Sequence, residues 1–260
     1  MLIGTHTSDG AQNHVQIAQV LLPKSEAELD TKQYDDEQGE IGGHLGTTAR
    51  VKVIQSINHD GEVNRARYCP QNPDLLATKS PNSHVFIFDR TRHPSVAPND
   101  GTCRPEIILR GHTREGYGLS WSQTKEGHLL SASDDTTICH WDIQSYSKQS
   151  KYIDPLRIYR GHTAVVGDVA WHQSHDCLFA SVGDDQQLMI WDTRSDDDLK
   201  PKSKTHAHTA EINSVSFNPG NEFLLLTGAA DKVSGRWPTG PRANPYTFIL
   251  DRGTLGLEES

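Results

Sequence analysis

No stretch of this 260-residue chain approaches the roughly 18 consecutive apolar residues of a membrane-spanning helix. Apolar residues make up only 34% of it, so no membrane partner is expected. A secretory signal is also missing, because Met1-Leu2-Ile3 runs straight into Gly4-Thr5-His6-Thr7. Cysteine is scarce. Cys69, Cys103, Cys139 and Cys177 are scattered without C-x-x-C spacing, which argues against a zinc site or a disulfide framework and for free thiols in a reducing compartment. Positive charge is in deficit, with 25 Lys and Arg against 34 Asp and Glu and a net charge of −9. That balance disfavours direct contact with nucleic acid and favours a basic partner. Histidine is plentiful, with 14 residues. The closest pairs, His206 with His208 and His172 with His175, have no second cluster at ligand spacing, so no metal or other cofactor is expected.

What is present is an internal repeat. Residues Arg160 to Arg194 read RGHTAVVGDVAWHQSHDCLFASVGDDQQLMIWDTR. Short β-branched and aromatic runs alternate there with polar turn residues, the signature of strands. His162 precedes Trp191 by 29 positions, and His112 precedes Trp141 by the same interval. His59 stands 29 before Phe88, and His208 stands 29 before Trp237, where Pro238 replaces an expected aspartate. The four histidines lie between 46 and 53 residues apart.

The segments between repeats differ in character. Met1–Leu22 holds two strand candidates, Leu2–Thr5 and Val15–Leu22, and Lys24–Gly46 is acidic and reads as an exposed loop. Arg92–Arg104, Gln144–Pro155 and Ser195–Lys204 read as polar connectors, the last with Asp196, Asp197 and Asp198 as a solvated charge run. In the fourth repeat, the run from Val233 to Arg242 carries two prolines and two glycines, which should spoil a central strand. Beyond it, Ala243–Ser260 has no repeat signature, a departure that a changed reading frame or an alternative splice would produce.

Gly-His and Trp-Asp punctuation at this period resembles WD repeats, each of which supplies four antiparallel strands to a β-propeller. The fold expected is all-β: an incomplete propeller of about four and a half of seven blades over residues 1–238. Full repeats fall at about 51–89, 108–142, 158–192 and 204–238, and residues 239–260 form a tail outside it. Failed ring closure would leave open edge strands and poor solubility. By the same resemblance, His112, Ser131, Asp135 and Trp141 form a buried hydrogen-bonded chain, as do His162, Ser181, Asp185 and Trp191. A Ser–His–Asp set repeated in successive blades serves the fold, so a catalytic triad is disfavoured and the protein is not expected to be an enzyme.

The segments GEVNRARY (Gly61–Tyr68), PQNP (Pro70–Pro73), EGYGLSW (Glu115–Trp121), HLLSASDDTTICHWD (His128–Asp142) and DDQQLMIWDTRS (Asp184–Ser195) carry a narrower likeness. The chain resembles the histone-binding WD-repeat proteins of the retinoblastoma-binding and chromatin-assembly-factor small-subunit family. That resemblance implies a nuclear, non-enzymatic scaffold in complexes that assemble, deacetylate, methylate or remodel chromatin. It also implies two histone sites. One is a rim groove, made by an amino-terminal helix and a late acidic loop that this chain lacks. The other is the top face around the channel, where a basic tail lies.

The repeat register gives its own view of that face. Three positions past each repeat histidine stand Glu62, Glu115, Val165 and Glu211, and two further on stand Asn64, Tyr117, Gly167 and Asn213. By resemblance, His6, Glu62, Asn64, Glu115, Tyr117, Asp184 and Glu211 match tail-contacting positions. Gly167 stands where the family has an acid. The function expected is recognition of a basic histone tail, with histone deacetylase or methyltransferase complex subunits as further partners. Two alternatives are a generic WD-repeat adaptor, such as a ubiquitin-ligase substrate receptor, and a non-functional truncated isoform.

Overall fold

Repetition in the sequence becomes repetition of sheets. In a computed structural model the described residues are 1–7, 10–21, 50–146, 150–197 and 200–239. The acidic stretch 24–46 and the terminal residues 240–260 lie outside them. The first sheet has the order β1 (Leu2–Gly4), β2 (Asn13–Leu21), β3 (Arg50–His59). The second contains β4 (Arg65–Tyr68), β5 (Leu75–Lys79), β6 (Val85–Asp89) and β7 (Ile107–Leu109). The third contains β8 (Leu119–Trp121), β9 (His128–Ala132), β10 (Ile138–Asp142) and β12 (Arg157–Tyr159). The fourth contains β13 (Val166–Trp171), β14 (Leu178–Gly183), β15 (Gln187–Asp192) and β16 (Ser203–His206), and the fifth β17 (Ile212–Phe217), β18 (Leu224–Ala229) and β19 (Ser234–Pro238). Each sheet is antiparallel along its repeat, and the inner strands β1, β4, β8, β13 and β17 lie side by side from sheet to sheet. No helix among the described residues is long and apolar enough to cross a membrane.

The core is a series of seams between successive sheets. Val15 and Ile57 meet Leu76, Phe86 and Phe88 between the first and second. Ala77, Val85 and Ile87 meet Trp121, Leu129 and Trp141 between the second and third. Leu130 and Ile138 meet Trp171, Phe179 and Trp191 in the next seam, and Val182 meets Val215, Phe217 and Trp237 in the last. Neighbours Leu129 and Leu130 thus point into different seams, because successive side chains of a strand leave opposite faces. A strand buried on both faces reads as a continuous apolar run, as VFIFD of β6 does. Among the described residues, the outer sheets are covered on one face only. Val51, Val53 and Ile54 on β3 and Leu226 on β18 are exposed.

Two expectations fail. The connector Gln144–Pro155 contains a two-residue strand, β11 (Tyr152–Ile153), which pairs in parallel with β7 and adds a fifth strand to the second sheet. The proline- and glycine-containing run of the fourth repeat also forms a strand, since β19 pairs with β18 and sets Trp237 opposite Leu225. Gly235 makes this possible. A Cβ there would come within 2.5 Å of Trp237 Nε1 and 2.7 Å of Thr227 Oγ1. Pro238 is tolerated at the end of a strand with no outer neighbour among the described residues, where no donor is missed.

Candidate functional site

The repeat histidines organise the loops that carry the site. His162 Nδ1 donates to Asp185 at 3.0 Å, Ser181 Oγ lies 2.7 Å from Nε2, and Trp191 Nε1 donates to Ser181 Oγ at 2.8 Å. A carboxylate only accepts, so the protons run one way, from tryptophan to hydroxyl to imidazole to carboxylate. His208, Asp231, Thr227 and Trp237 repeat the arrangement in the fifth sheet. The aspartate also clamps its own turn, Asp185 accepting from Thr163 N and Gln187 N. The residue after it takes a left-handed conformation in every repeat, at Ser83, Thr136, Gln186 and Lys232 (φ 64–70°). Such a backbone costs about 1–2 kcal/mol, and the hydrogen bonds to the preceding side chain offset it. Burial alone would raise the Asp185 pKa, but the His162 hydrogen bond and the backbone donors lower it.

The third sheet departs from the expected chain at Trp141. His112 does bond Asp135 at 3.1 Å and Ser131 Oγ at 2.9 Å. Trp141 Nε1, however, donates to Arg110 O at 3.0 Å. Its acceptor has been taken: Lys79 Nζ reaches across from β5 to Ser131 Oγ and to Ala132 O, both at 2.7 Å. In the second sheet Phe88 and Asn82 hold the tryptophan and aspartate positions, and His59 bonds Thr78 and Gly61 O instead. Ser131 and Ser181 are both fully buried and hydrogen-bonded on more than one side, which leaves neither hydroxyl free to attack a substrate.

Above these networks, Glu62, Asn64, Glu115, Tyr117 and Glu211 lie on segments that precede inner strands, His6 follows β1, and Asp184 lies in the β14–β15 turn. His6 Nδ1 lies 2.8 Å from Glu62 Oε2, an exposed pair of small energetic weight. Asn64 Nδ2 donates to Glu115 Oε2 at 3.0 Å, from the second sheet to the third. Burial and then Glu115, Asp134 and Glu62 raise the pKa of half-exposed Tyr117. Burial and then Glu211 and Asp134 raise that of Asp184. Asp134, absent from the predicted set, connects the two halves. Its own carboxyl is raised by burial and by Glu115. The sequence does signal it, because Asp134 precedes Asp135 as Asp184 precedes Asp185.

Deeper along the inner strands, Asp168 accepts from Val215 N, and burial raises its pKa against the opposing pull of that bond and of Arg65. Arg65 Nε donates to Tyr117 O at 2.9 Å. Neither residue has a sequence signal of its own. An open cavity of about 860 Å³ adjoins the acidic line and is bordered by Asp60, Glu62, Asn82, His84 and Glu115. Gly167 sits at a bulge in β13, and a Cβ there would fall 2.7 Å from Ile212 O. An acid at this position therefore needs a backbone shift between the fourth and fifth sheets.

The histidine pairs are otherwise engaged. His172 Nδ1 accepts from Ser174 N and His175 N, and Nε2 donates to Glu222 O. Among the described residues, no group of three or more His, Cys, Asp and Glu is arranged to hold a metal.

The family profile described as "WD domain, G-beta repeat" matches residues 101–142, 153–192 and 199–233. Those three segments match WD repeats. The chain is also similar to one in a solved structure, "Crystal Structure of Mitotic Checkpoint Complex", with a TM-score of 0.57 and 24% sequence identity. That likeness covers 74% of this chain and 54% of the neighbour, and it concerns the fold. The segments at 101–142 and 153–192 hold both predicted residue sets, of which that of His162 forms as expected and that of His112 lacks the Trp141 bond, while the second sheet, with its altered residues, lies largely outside the matched segments.

Proposed function

We propose that this WD-repeat scaffold binds a basic histone tail on the acidic face that runs from Glu62 through Glu115, Asp134 and Asp184 to Glu211. On this reading it is a nuclear subunit that docks chromatin-assembly or chromatin-modifying enzymes, including deacetylases and methyltransferases, onto their substrate. The observation that carries the reading is the crowding of carboxylates on this face, where Asn64 Nδ2 fixes Glu115 at 3.0 Å and Asp134 N bonds Glu115 O at 2.9 Å. Burial and then Glu115 raise the pKa of Asp134, and burial and then Glu211 and Asp134 raise that of Asp184. Crowded carboxylates of this kind gain most from a cationic partner, because Lys and Arg supply charge-assisted hydrogen bonds and relieve the repulsion.

A generic WD-repeat adaptor is the second reading, favoured by the membership of its structural neighbour in a multiprotein complex. Affinity capture of the tagged chain from nuclear extract separates the two. Co-purification of histones with chromatin enzymes supports the first. Recovery of ligase or other complex subunits without histones supports the second.

A further inference from the structure

Among the described residues, Lys79 is the only buried lysine. Its stem leaves the end of β5, crosses the seam and places Nζ on Ser131 Oγ and Ala132 O of β9. The equivalent position in the other repeats is Ala132, Val182 and Gly228, so no other seam among the described residues has such a group. Among the described residues no carboxylate lies within ion-pair distance of Nζ, and its two acceptors are neutral. A buried ammonium without a direct counter-ion is costly unless a surrounding field favours it.

That field comes from the third sheet. Facing the ammonium are Glu115 from the segment before β8, Asp134 and Asp135 from the β9–β10 turn, and Cys139 on β10. His112, from the segment after β7, also faces it and has its own pKa lowered by burial and by Lys79. The same residue ties the acidic face to the seam through its backbone. Lys79 O accepts from Asn64 N at 3.0 Å, Asn64 Nδ2 bonds Glu115, and Glu115 O accepts from Asp134 N at 2.9 Å.

We propose that Lys79 is the internal counter-cation of the acidic face, and that a cationic ligand seated on Asn64, Glu115 and Asp134 takes over its field and displaces its proton. This inference rests on the basic-ligand reading of that face. Burial already pulls the lysine down to about 8, against the opposing charges of Asp135, Asp134 and Glu115, while burial pushes the Cys139 thiol up to about 12 and keeps it neutral. A second positive charge placed on the same acids pushes it lower, and linkage makes the effect reciprocal: deprotonating Lys79 strengthens ligand binding. The neutral amine still donates two hydrogen bonds, so the seam keeps its geometry while the competing charge is lost.

The experiment is calorimetric titration of a lysine-free, arginine-rich peptide into the full chain at pH 8, in two buffers of different protonation enthalpy. The arginines stay charged throughout. We expect on the order of half a proton to be released per peptide bound, and affinity to rise by roughly three- to tenfold from pH 7 to pH 9. Lys79→Met should abolish both effects. An amino-terminally acetylated chain, in which no α-amine can release a proton, should retain both, which keeps the test available if Lys79→Met does not fold. Binding without proton release, or with a flat pH profile, overturns this inference alone. Absence of binding at every pH overturns the basic-ligand reading and this inference with it.

Discussion

Asn64 Nδ2 donates to Glu115 Oε2 at 3.0 Å, joining the second sheet to the third at the acidic face. Glu115 is thereby held by a neighbouring sheet, and its charge is fixed in place before any ligand arrives. Asn64→Ala should cost about 0.5–1.5 kcal/mol of stability, the net worth of a typical hydrogen bond. In a Glu115→Ala background the same change should cost markedly less. A double-mutant cycle by urea unfolding measures the coupling.

Ser181 is the hinge of the best-formed network, because one hydroxyl serves both Trp191 and His162. Ser181→Ala leaves a buried indole N–H and a buried imidazole nitrogen without partners. Loss of about 1–3 kcal/mol for an orphaned buried polar group is expected. In the third sheet, Ser131→Ala should leave Trp141 unaffected, since that indole bonds Arg110 O. Indole hydrogen exchange distinguishes the two variants: Trp191 Nε1–H should lose protection in the first, and Trp141 Nε1–H should keep it in the second.

Gly167 is a steric requirement of this backbone. With Ile212 O only 2.7 Å from the site of a Cβ, both Gly167→Ala and Gly167→Glu should destabilise by about 1–3 kcal/mol, the usual cost of forcing atoms into a packed site. Thermal and urea unfolding of the two variants provide the check. An alanine variant as stable as the parent would show that the seam between the fourth and fifth sheets yields easily.

Stability should fall as the pH drops below the ordinary histidine range. Burial, followed by the charges of His128, Lys125 and Arg157, pushes His140 down to about 3. The unfolded chain, with histidine near 6.5, takes the proton first. The contribution is therefore complete above about pH 6.5 and is lost as the pH falls toward 3, at up to about 1.4 kcal/mol per pH unit for this one group. Asp135, Asp185 and Asp231 are held below the usual carboxylate range by their histidine and backbone donors, despite burial. Their contribution is present above about pH 4 and disappears below it. Urea midpoints between pH 7.5 and 5 should decline in the parent and decline less steeply in His140→Met.

The periodic part of the structure was legible because the repeat interval ties residue type to position. A hydroxyl 19 residues and a carboxylate 23 residues after a histidine mark the networks at His112, His162 and His208. The same ruler places Glu62, Glu115 and Glu211 on one face, and it marks Asp134 through its repeat mate Asp184. Lys79 was not legible. Its position lies one past the hydroxyl in a strand-like run, and nothing in LLATK shows that the side chain ends in a neighbouring sheet and displaces Trp141 from the shared acceptor. The fourth repeat misled for a related reason, because Gly235 and Pro238 read as strand breakers until the close approach of Trp237 to Thr227 is visible.

The most direct test of the acidic face is a titration of a labelled basic histone-tail peptide into the folded chain and into Glu115→Gln, at low and at physiological salt. Charge-assisted hydrogen bonds of about 1.5–3 kcal/mol each, less the cost of ordering the peptide, point to micromolar binding. The affinity should fall as salt rises, because the charges are partly exposed, and Glu115→Gln should weaken it by about tenfold, since the lower end of a charged hydrogen bond is about 1.5 kcal/mol. Equal affinity of the two proteins for the tail, with no dependence on salt, would contradict the account.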